Sequence, residues 1–430
     1  MLSAFVNAFR TPDLRRKLLF VLFVIALFRL GSAIPTPGVD YQNVQTCVAS
    51  VKGQGIYGLI NLFSGGALLQ LTIFALGIMP YITASIILQL LTVVIPRLET
   101  LKKEGQAGTA KITQYTRYLT LGLAILQSTG IVALARTGRI FQNSCDLPLL
   151  VNDNVSTLLL MVVTMSAGTA MIMWLGELIT ERGIGNGMSI LIFTSVVASF
   201  PTALWGIKQQ HGWDIFAIVV AIGLIIIAAV IFIEQAQRRI PVQYARRMVG
   251  RRMFGGTSTY IPLKVNQAGV IPVIFASSLL YLPTLATQFN PTAPWSVWVG
   301  NHFVRGDHPY YMLTYFLLIV FFTYFYVAIT FNPTEVADNM KKYGGFVPGI
   351  RAGRPTEEYL AYVLSRITFP GALYLGLVAL VPLIAFVLIN ANQNFPFGGT
   401  SLLIMVGVGL DTVKQIESQL QQRHYEGFLR

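Results

Sequence analysis

The sequence predicts an all-α integral membrane protein, and three observations support that class. Of 430 residues, 54% are hydrophobic and 11% are charged, and the mean hydropathy is +0.62. Apolar runs of about 20 residues, the length that crosses a bilayer as a helix, recur along the chain. Lys and Arg concentrate in alternate loops between those runs, which is the charge pattern of a multi-span protein. This composition excludes a soluble globular fold.

Ten membrane spans are predicted, and the loop charges orient them. The side of the membrane that holds the N-terminus carries 25 of the 31 Lys and Arg residues, the opposite side carries 5, and Arg29 lies within the first span. The positive-inside rule therefore predicts that both termini are cytoplasmic. No cleaved signal peptide is expected, and residues 3–10 form either a short amphipathic surface helix or a frayed terminus. The predicted spans are 18–34, 74–95, 118–135, 156–178, 187–205, 213–233, 268–288, 310–331, 368–389 and 400–418.

Ten spans divide into two sets of five, and five is odd. The halves 1–205 and 206–430 would therefore enter the membrane from opposite sides. If the halves share a fold, they are inverted repeats, with the functional site between them near the bilayer midplane. The C-terminal half also contains two long cytoplasmic loops, 234–267 and 332–367.

The stretch 57–95 is too long for one span and is interrupted. Gly65 and Gly66 break it, because paired glycines lower helix propensity and permit non-helical backbone. The part before the break contains Asn61 and Ser64 and is too short to cross a bilayer. Such a half-helix is tolerated at membrane depth only inside protein or along a water-filled cavity. The stretch therefore predicts a cavity with a short segment lodged in it.

Residues that carry chemistry are sparse within the spans. Arg29, Glu177 and Asp411 are expected to pair or to snorkel near the membrane interfaces. The sequence contains no phosphate-binding loop, nucleophile elbow or metal-ligand pattern, so no catalytic residue, metal or cofactor is expected. Cys47 and Cys145 lie in outer loops, where a bridge is open but two separate thiols are the favoured interpretation.

The two long cytoplasmic loops are strongly basic. Loop 234–267 contains three Arg doublets, and the alternation at Ile240, Val242 and Tyr244 predicts a strand with a partner within 257–265. The positive-inside rule and anionic lipid explain the sign of the charge. Ordered basic loops of this length also suit a polyanion such as RNA or an acidic protein surface, and a docking role is the favoured interpretation.

Eleven stretches carry a more specific signal. They read F-R-L-G-S-A-I-P-T-P-G-V-D (28–40), N-L-F-S-G-G-A-L (61–68), F-A-L-G-I-M-P-Y-I-T-A-S-I-I-L-Q-L-L-T-V-V (74–94), K-K-E-G (102–105), Q-Y-T-R-Y (114–118), G-E-L-I-T-E-R-G-I-G-N-G (176–187), R-R-I-P-V-Q-Y-A-R-R (238–247), P-L-K-V-N-Q-A-G-V-I-P-V-I-F-A-S-S (262–278), F-N-P-T-E-V-A-D-N-M-K-K (331–342), F-V-P-G-I-R (346–351) and G-G-T-S-L-L-I (398–404). In this order on ten spans, they resemble the SecY/Sec61-alpha family of protein-secretion channels across essentially the whole chain.

The resemblance implies two inverted five-helix halves around an hourglass pore with a plug and an apolar waist. The plug would occupy 57–72 and include Asn61, Phe63, Ser64, Gly65 and Gly66. The waist would be a ring formed by Ile78, Ile82, Met188, Ile192, Ile274 and Ile404. An apolar constriction dewets when empty and grips a polar chain weakly, which suits a pore for unfolded polypeptide.

The resemblance also implies a lateral gate and docking sites for partners. The gate would lie between spans 2–3 and 7–8, beside a polar cluster of Gln89, Thr92 and Asn186. Implied partners are the small membrane subunits SecE and SecG, the SecA motor ATPase, ribosomes, signal sequences, nascent chains and lipids. Docking to the ribosome or SecA would use Arg246, Arg247, Arg251, Arg252, Lys341, Lys342 and Arg351.

The predicted function is a protein-conducting channel of the bacterial plasma membrane with no active site of its own. The alternative is an inverted-repeat secondary transporter of a small solute, which needs an ion site near the midplane. An intramembrane enzyme is a second rival, and it needs a nucleophile–base pair or metal ligands within the spans. The sequence provides none of these groups in a recognisable pattern.

Overall fold

A computed structural model describes residue 9 and residues 11–50, 64–136, 147–244, 247–249, 252–254, 258–289, 293–304, 308–389 and 399–428. In that part of the chain, a helix overlaps each of the ten predicted spans. The helices are α1 Pro12–Gly31, α2 Tyr41–Ser50, α3 Met79–Val94, α4 Pro96–Lys103, α5 Gln106–Arg136, α6 Val155–Arg182, α7 Gly187–Gln235, α8 Ile271–Phe289, α9 Pro294–Val299, α10 Pro309–Thr330, α11 Pro333–Lys342, α12 Arg354–Ile389 and α13 Gly399–Phe428.

Among the described residues, five helical segments are long and apolar enough to cross a membrane by themselves. The pair α3 and α4, bent by 100°, would add a sixth. Two further apolar segments, Gly187–Pro201 in α7 and Ile271–Leu280 in α8, are shorter. Shorter apolar helices are expected where a helix lines a protein-filled or water-filled axis and does not face lipid along its whole length.

Helix α7 contains the fifth and sixth predicted spans. It continues across the predicted boundary between residues 205 and 206, and its backbone is non-helical at Gly212, where φ is +82°. Glycine reaches this left-handed conformation without the steric cost that other residues meet. The break at Gly212 therefore separates the two spans a little later than the predicted boundary between the halves.

A small sheet follows α7 and precedes α8, on the side that the loop charges predict to be cytoplasmic. Its strands are β1 Gln237–Tyr244, β4 Ser258–Lys264 and β5 Gly345–Phe346, in the order β4-β1-β5, and β1 pairs antiparallel with β4. The predicted strand and its partner are confirmed, although an additional hairpin of β2 Arg247–Val249 and β3 Arg252–Phe254 lies between them. Buried side chains of the sheet, α11 and the start of α12 form a separate small core, which includes Ile240, Val242, Leu263 and Leu360.

The second span begins later than predicted. Helix α3 starts at Met79, whereas residues 65–78 run in turns, with positive φ at Gly65, Gly66, Leu71 and Gly77. The expected half-helix falls mainly on 57–63, which lie outside the described residues. Left-handed backbone cannot continue a right-handed helix, so this segment enters the membrane as irregular structure.

The charged residues of the spans pair as predicted. The Arg117 guanidinium forms a bidentate ion pair with Glu177, at 2.9 and 2.8 Å, and Lys264 Nζ lies 3.8 Å from Asp411 Oδ1. Neither acid lies alone at membrane depth, where an unpaired charge would be costly.

The two loops predicted to lie outside hold one correction. The favoured interpretation of two separate thiols is wrong, because Cys47 in α2 is buried and disulfide-bonded. The chain's other cysteine, Cys145, lies outside the described residues. The physical reason is local pairing of the two outer loops: the Asp40 amide donates to the Leu149 carbonyl at 2.9 Å, and the Val151 amide donates to the Gly38 carbonyl at 3.0 Å.

Candidate functional site

The six predicted ring residues come from four helices of both halves and lie in one hydrophobic cluster. Ile78 precedes α3, Ile82 lies in α3, Met188 and Ile192 lie in α7, and Ile274 and Ile404 belong to α8 and α13. Ile274 is half-buried and the other five are buried, with Ile404 only 1% exposed. This cluster is large, so shared membership places the six residues inside the protein and away from lipid. Their role as a ring stays a prediction.

Met188 differs from the other ring residues in what it contacts. A Cβ built on Gly176 of α6 would collide with the Met188 sulfur, so this side chain packs against the fourth span. A flexible thioether fills such an irregular gap readily. Met188 therefore links the start of α7 to α6, in addition to its predicted place in the ring.

Residues 64–71, here called the plug segment, are held by tight backbone contacts. The Ser64 hydroxyl accepts a hydrogen bond from the Leu68 amide at 3.1 Å. Gly65 has φ +65°, and a Cβ at this position would lie 2.9 Å from Arg29 Nη1 and 3.3 Å from the Ser195 Cα. Only glycine combines this conformation with this close approach. The predicted plug residues Asn61 and Phe63 lie outside the described residues.

Arg29 of α1 makes a polar contact to this segment. Its Nη1 donates to the Gly65 carbonyl at 3.1 Å. Ser195 of α7 lies on the other side of Gly65, is 1% exposed, and is three residues beyond Ile192. The plug backbone is therefore wedged between the first and fifth spans, about one helical turn from the predicted ring.

The connection from the plug segment to α3 is also fixed in place. The Leu71 carbonyl accepts from both the Thr36 amide at 3.0 Å and the Thr36 hydroxyl at 2.7 Å. Leu71 is fully buried at φ +48°, a conformation that is uncommon for a non-glycine residue and costs on the order of 1 kcal/mol or more. Two hydrogen bonds from one threonine offset that strain and fix the end of the plug segment.

The predicted gate residues use their polar groups locally. Thr92 is buried and donates to the Gln89 carbonyl of its own helix at 2.7 Å, while the Gln89 side chain is exposed. The Asn186 carboxamide oxygen caps α7 by accepting from the Met188 amide at 3.0 Å and the Ser189 amide at 3.4 Å. All three side chains lie in the described part of the chain, and no hydrogen bond there joins them. The gate cluster stays a prediction.

Helix α8 supplies the contact between the predicted gate walls. It packs against both α3 and α5 of the N-terminal half, and against α10 through the edge-to-face pairs Phe275–Phe322 and Phe275–Tyr326. These aromatic pairs join α8 and α10 within one predicted wall, whereas the contacts of α8 with α3 and α5 join the two walls.

Three predicted docking residues lie on the cytoplasmic platform, which is named for the side that the loop charges predict and is defined as the three-stranded sheet with α11 and the start of α12. Lys341, Lys342 and Arg351 are exposed. Arg247 and Arg252 belong to the paired strands β2 and β3, whereas Arg246 and Arg251 lie outside the described residues. Within the described residues, no group of three or more His, Cys, Asp or Glu is arranged to hold a metal ion.

Sequence reasoning missed two functional candidates, Arg29 and Thr36. Arg29 was expected to pair or to snorkel near the interface, and its partner is a backbone carbonyl 36 residues away. Every residue has a backbone carbonyl, so the sequence alone could not identify Gly65 as the partner. A cation in an otherwise apolar span was the available signal.

The arrangement defines a class of protein: a multi-span helical membrane protein in which a short segment without regular helix packs between two spans. The same fold occurs in a solved protein-conducting channel, with a TM-score of 0.61 and 19% identity, covering 93% of this chain and 91% of that chain. It also occurs in the yeast Ssh1 complex bound to the 80S ribosome, with a TM-score of 0.63 and 15% identity, covering 94% and 89% of the two chains.

The chain belongs to the SecY family, whose model matches residues 72–413. It is 70% identical to the protein translocase subunit SecY of Streptomyces galbus and 61% identical to that of Mycobacterium bovis, with both chains covered completely in each comparison. The chain is therefore a multi-pass membrane protein of a bacterial channel family and not an enzyme. This membership decides against the small-solute transporter.

Proposed function

We propose that unfolded polypeptide crosses the membrane along the axis lined by Ile78, Ile82, Met188, Ile192, Ile274 and Ile404. The observation that carries the proposal is the wedged plug backbone at Gly65, between α1 and α7 and one turn from Ile192. An apolar constriction excludes water when it is empty and binds a passing chain weakly. The plug segment closes the outer funnel, and the apolar waist seals the resting channel.

Apolar segments leave the channel sideways, between α3 and α5 on one wall and α8 and α10 on the other. Support comes from the packing of α8 on α3 and α5, which uses no hydrogen bond among the predicted gate residues. A signal sequence or membrane segment contributes about 0.8 kcal/mol per CH₂ group moved from water into an apolar environment. A few such groups compensate for separating the helices, so that an apolar segment opens the gate and a polar one does not.

The cytoplasmic platform docks partners that supply energy, namely a translating ribosome or the SecA motor. Exposed Lys341, Lys342 and Arg351 support this role, as do the basic strands β2 and β3. Two structural neighbours are channels bound to ribosomes, the yeast Ssh1 complex and Sec61 of the canine endoplasmic reticulum. The platform faces the cytoplasm when the loop charges orient the chain. The membrane that the channel crosses is the bacterial plasma membrane. SecE and SecG are the expected small membrane subunits.

Planar-bilayer conductance tests the channel and its plug together. Purified wild-type channel should show little resting conductance, and deletion of residues 61–66 should cause a persistent ion leak. A signal peptide added to the wild type should raise conductance transiently. If the deletion variant is as tight as the wild type and the signal peptide has no effect, the proposed function is wrong.

A further inference from the structure

Arg29 occupies a position where a free cation would be costly. It lies in the last turn of α1, within an apolar span, and its side chain is half-buried. Charged residues at membrane depth face a cavity or a partner, and the C-terminal end of a helix attracts a cation. The partner that the structure gives is the carbonyl of Gly65, at 3.1 Å from Nη1.

The neighbourhood of Gly65 leaves little freedom for that carbonyl. The glycine lies between the Arg29 guanidinium and the Ser195 backbone, with space for no side chain larger than hydrogen. The next residue, Gly66, has the same left-handed backbone at φ +92°, yet a Cβ there would meet nothing within 4 Å. The tight contact is therefore confined to the residue whose carbonyl Arg29 holds.

We propose that Arg29 is a positioning residue for channel closure, which latches the plug segment through the Gly65 carbonyl. The proposal rests on the proposed function, because it assumes that this segment closes the outer funnel. A hydrogen bond from a charged donor is stronger than one between neutral groups, and it needs no matching side chain on the plug. When a polypeptide displaces the plug, the guanidinium loses its partner and faces the funnel as a fixed positive charge.

The first test compares resting conductance in planar bilayers. Arg29→Met retains much of the apolar stem but cannot donate, so the leak should rise about tenfold, the size expected for loss of one charge-assisted hydrogen bond. Arg29→Lys keeps a charged donor and should leak less than Arg29→Met. An Arg29→Met channel that is as tight as the wild type, beside a leaky deletion of 61–66, overturns the latch while leaving the plug intact. A deletion variant that does not leak overturns both the latch and the assignment of the plug.

A pair of glycine variants keeps the proposal testable if Arg29 variants fail to fold. Gly65→Ala and Gly66→Ala impose similar backbone strain, since both glycines have positive φ. Only the first places a methyl group against the guanidinium. Gly65→Ala should therefore leak and Gly66→Ala should stay close to the wild type. Equal leakage from the two variants would mean that backbone strain, not the latch, determines closure.

Ion selectivity provides a readout that a purely structural role would not change. In the channel lacking residues 61–66 the Arg29 charge should face the funnel and favour anions. The reversal potential across a KCl gradient should shift toward cation preference when Arg29→Met is added to that deletion. An unchanged reversal potential would place the guanidinium outside the funnel and overturn the proposal.

Discussion

The pore axis and the cytoplasmic platform use opposite physical means. The predicted axis is lined mostly by buried apolar side chains, and the plug segment beside it is held by hydrogen bonds to its backbone carbonyls at Gly65 and Leu71. The platform is a small sheet with its own core and an exposed basic surface. Closely packed contacts depend on the shape of every residue, whereas exposed charges act collectively and are screened by salt. Single substitutions should therefore have large effects along the axis and small ones on the platform.

The largest effect is expected at Ile404, which is 1% exposed. Ile404→Asn places an amide in an apolar cluster and should destabilise the closed state by roughly 2 kcal/mol, which is about thirtyfold in the closed-to-open ratio. Export of a precursor with a defective signal sequence should rise accordingly. The measurement is translocation into vesicles that contain the variant channel.

Ile404→Leu is the matched control, because it keeps the volume and the apolar character of the side chain. This variant should not export the defective precursor above the wild-type level. If the Ile404→Asn channel exports the defective precursor no better than the Ile404→Leu channel, Ile404 does not belong to the seal.

An intermediate and selective effect is expected at Arg351. This residue lies on the platform, and its side chain is exposed. Its backbone carbonyl accepts a hydrogen bond from the Thr356 hydroxyl at 2.9 Å, so a changed side chain should leave the local turn intact. Arg351→Glu reverses the charge and should reduce motor-driven export severalfold while sparing ribosome-driven insertion. Both activities can be measured with the same reconstituted channel.

Arg354→Glu is the control for that reversal. Arg354 is also exposed, but its side chain already pairs with Glu358 of the same helix at 3.1 Å. The Arg354→Glu substitution should reduce motor-driven export and ribosome-driven insertion slightly and equally. Equal loss of export and insertion in Arg351→Glu would argue against a contact specific to the motor.

The same contrast explains which features could be predicted from the sequence. Ten apolar spans and the β1–β4 pair follow from local periodicity, and the Gly65–Gly66 break marks the plug segment directly. The start of α3 was misplaced because residues 74–78 are apolar but run in turns, and hydropathy does not distinguish the two. The contacts of Arg29, Thr36 and Cys47 join distant parts of the chain, so only the fold could reveal them.

The smallest effect is expected from the basic hairpin, and it should appear in salt dependence more than in affinity. Arg247 and Arg252 lie on the antiparallel strands β2 and β3. If each neutralises one RNA phosphate, Arg247→Gln and Arg252→Gln should each lower the slope of log K against log salt for ribosome binding by about 0.7–0.9. At one fixed salt concentration the loss should be only a few-fold, because the remaining basic residues still attract the polyanion.

Lys208→Gln is the control, since Lys208 lies between Trp205 and Trp213 in the connection between the fifth and sixth spans, on the face predicted to be outside. A double variant whose slope equals that of Lys208→Gln would show that the hairpin does not contact RNA.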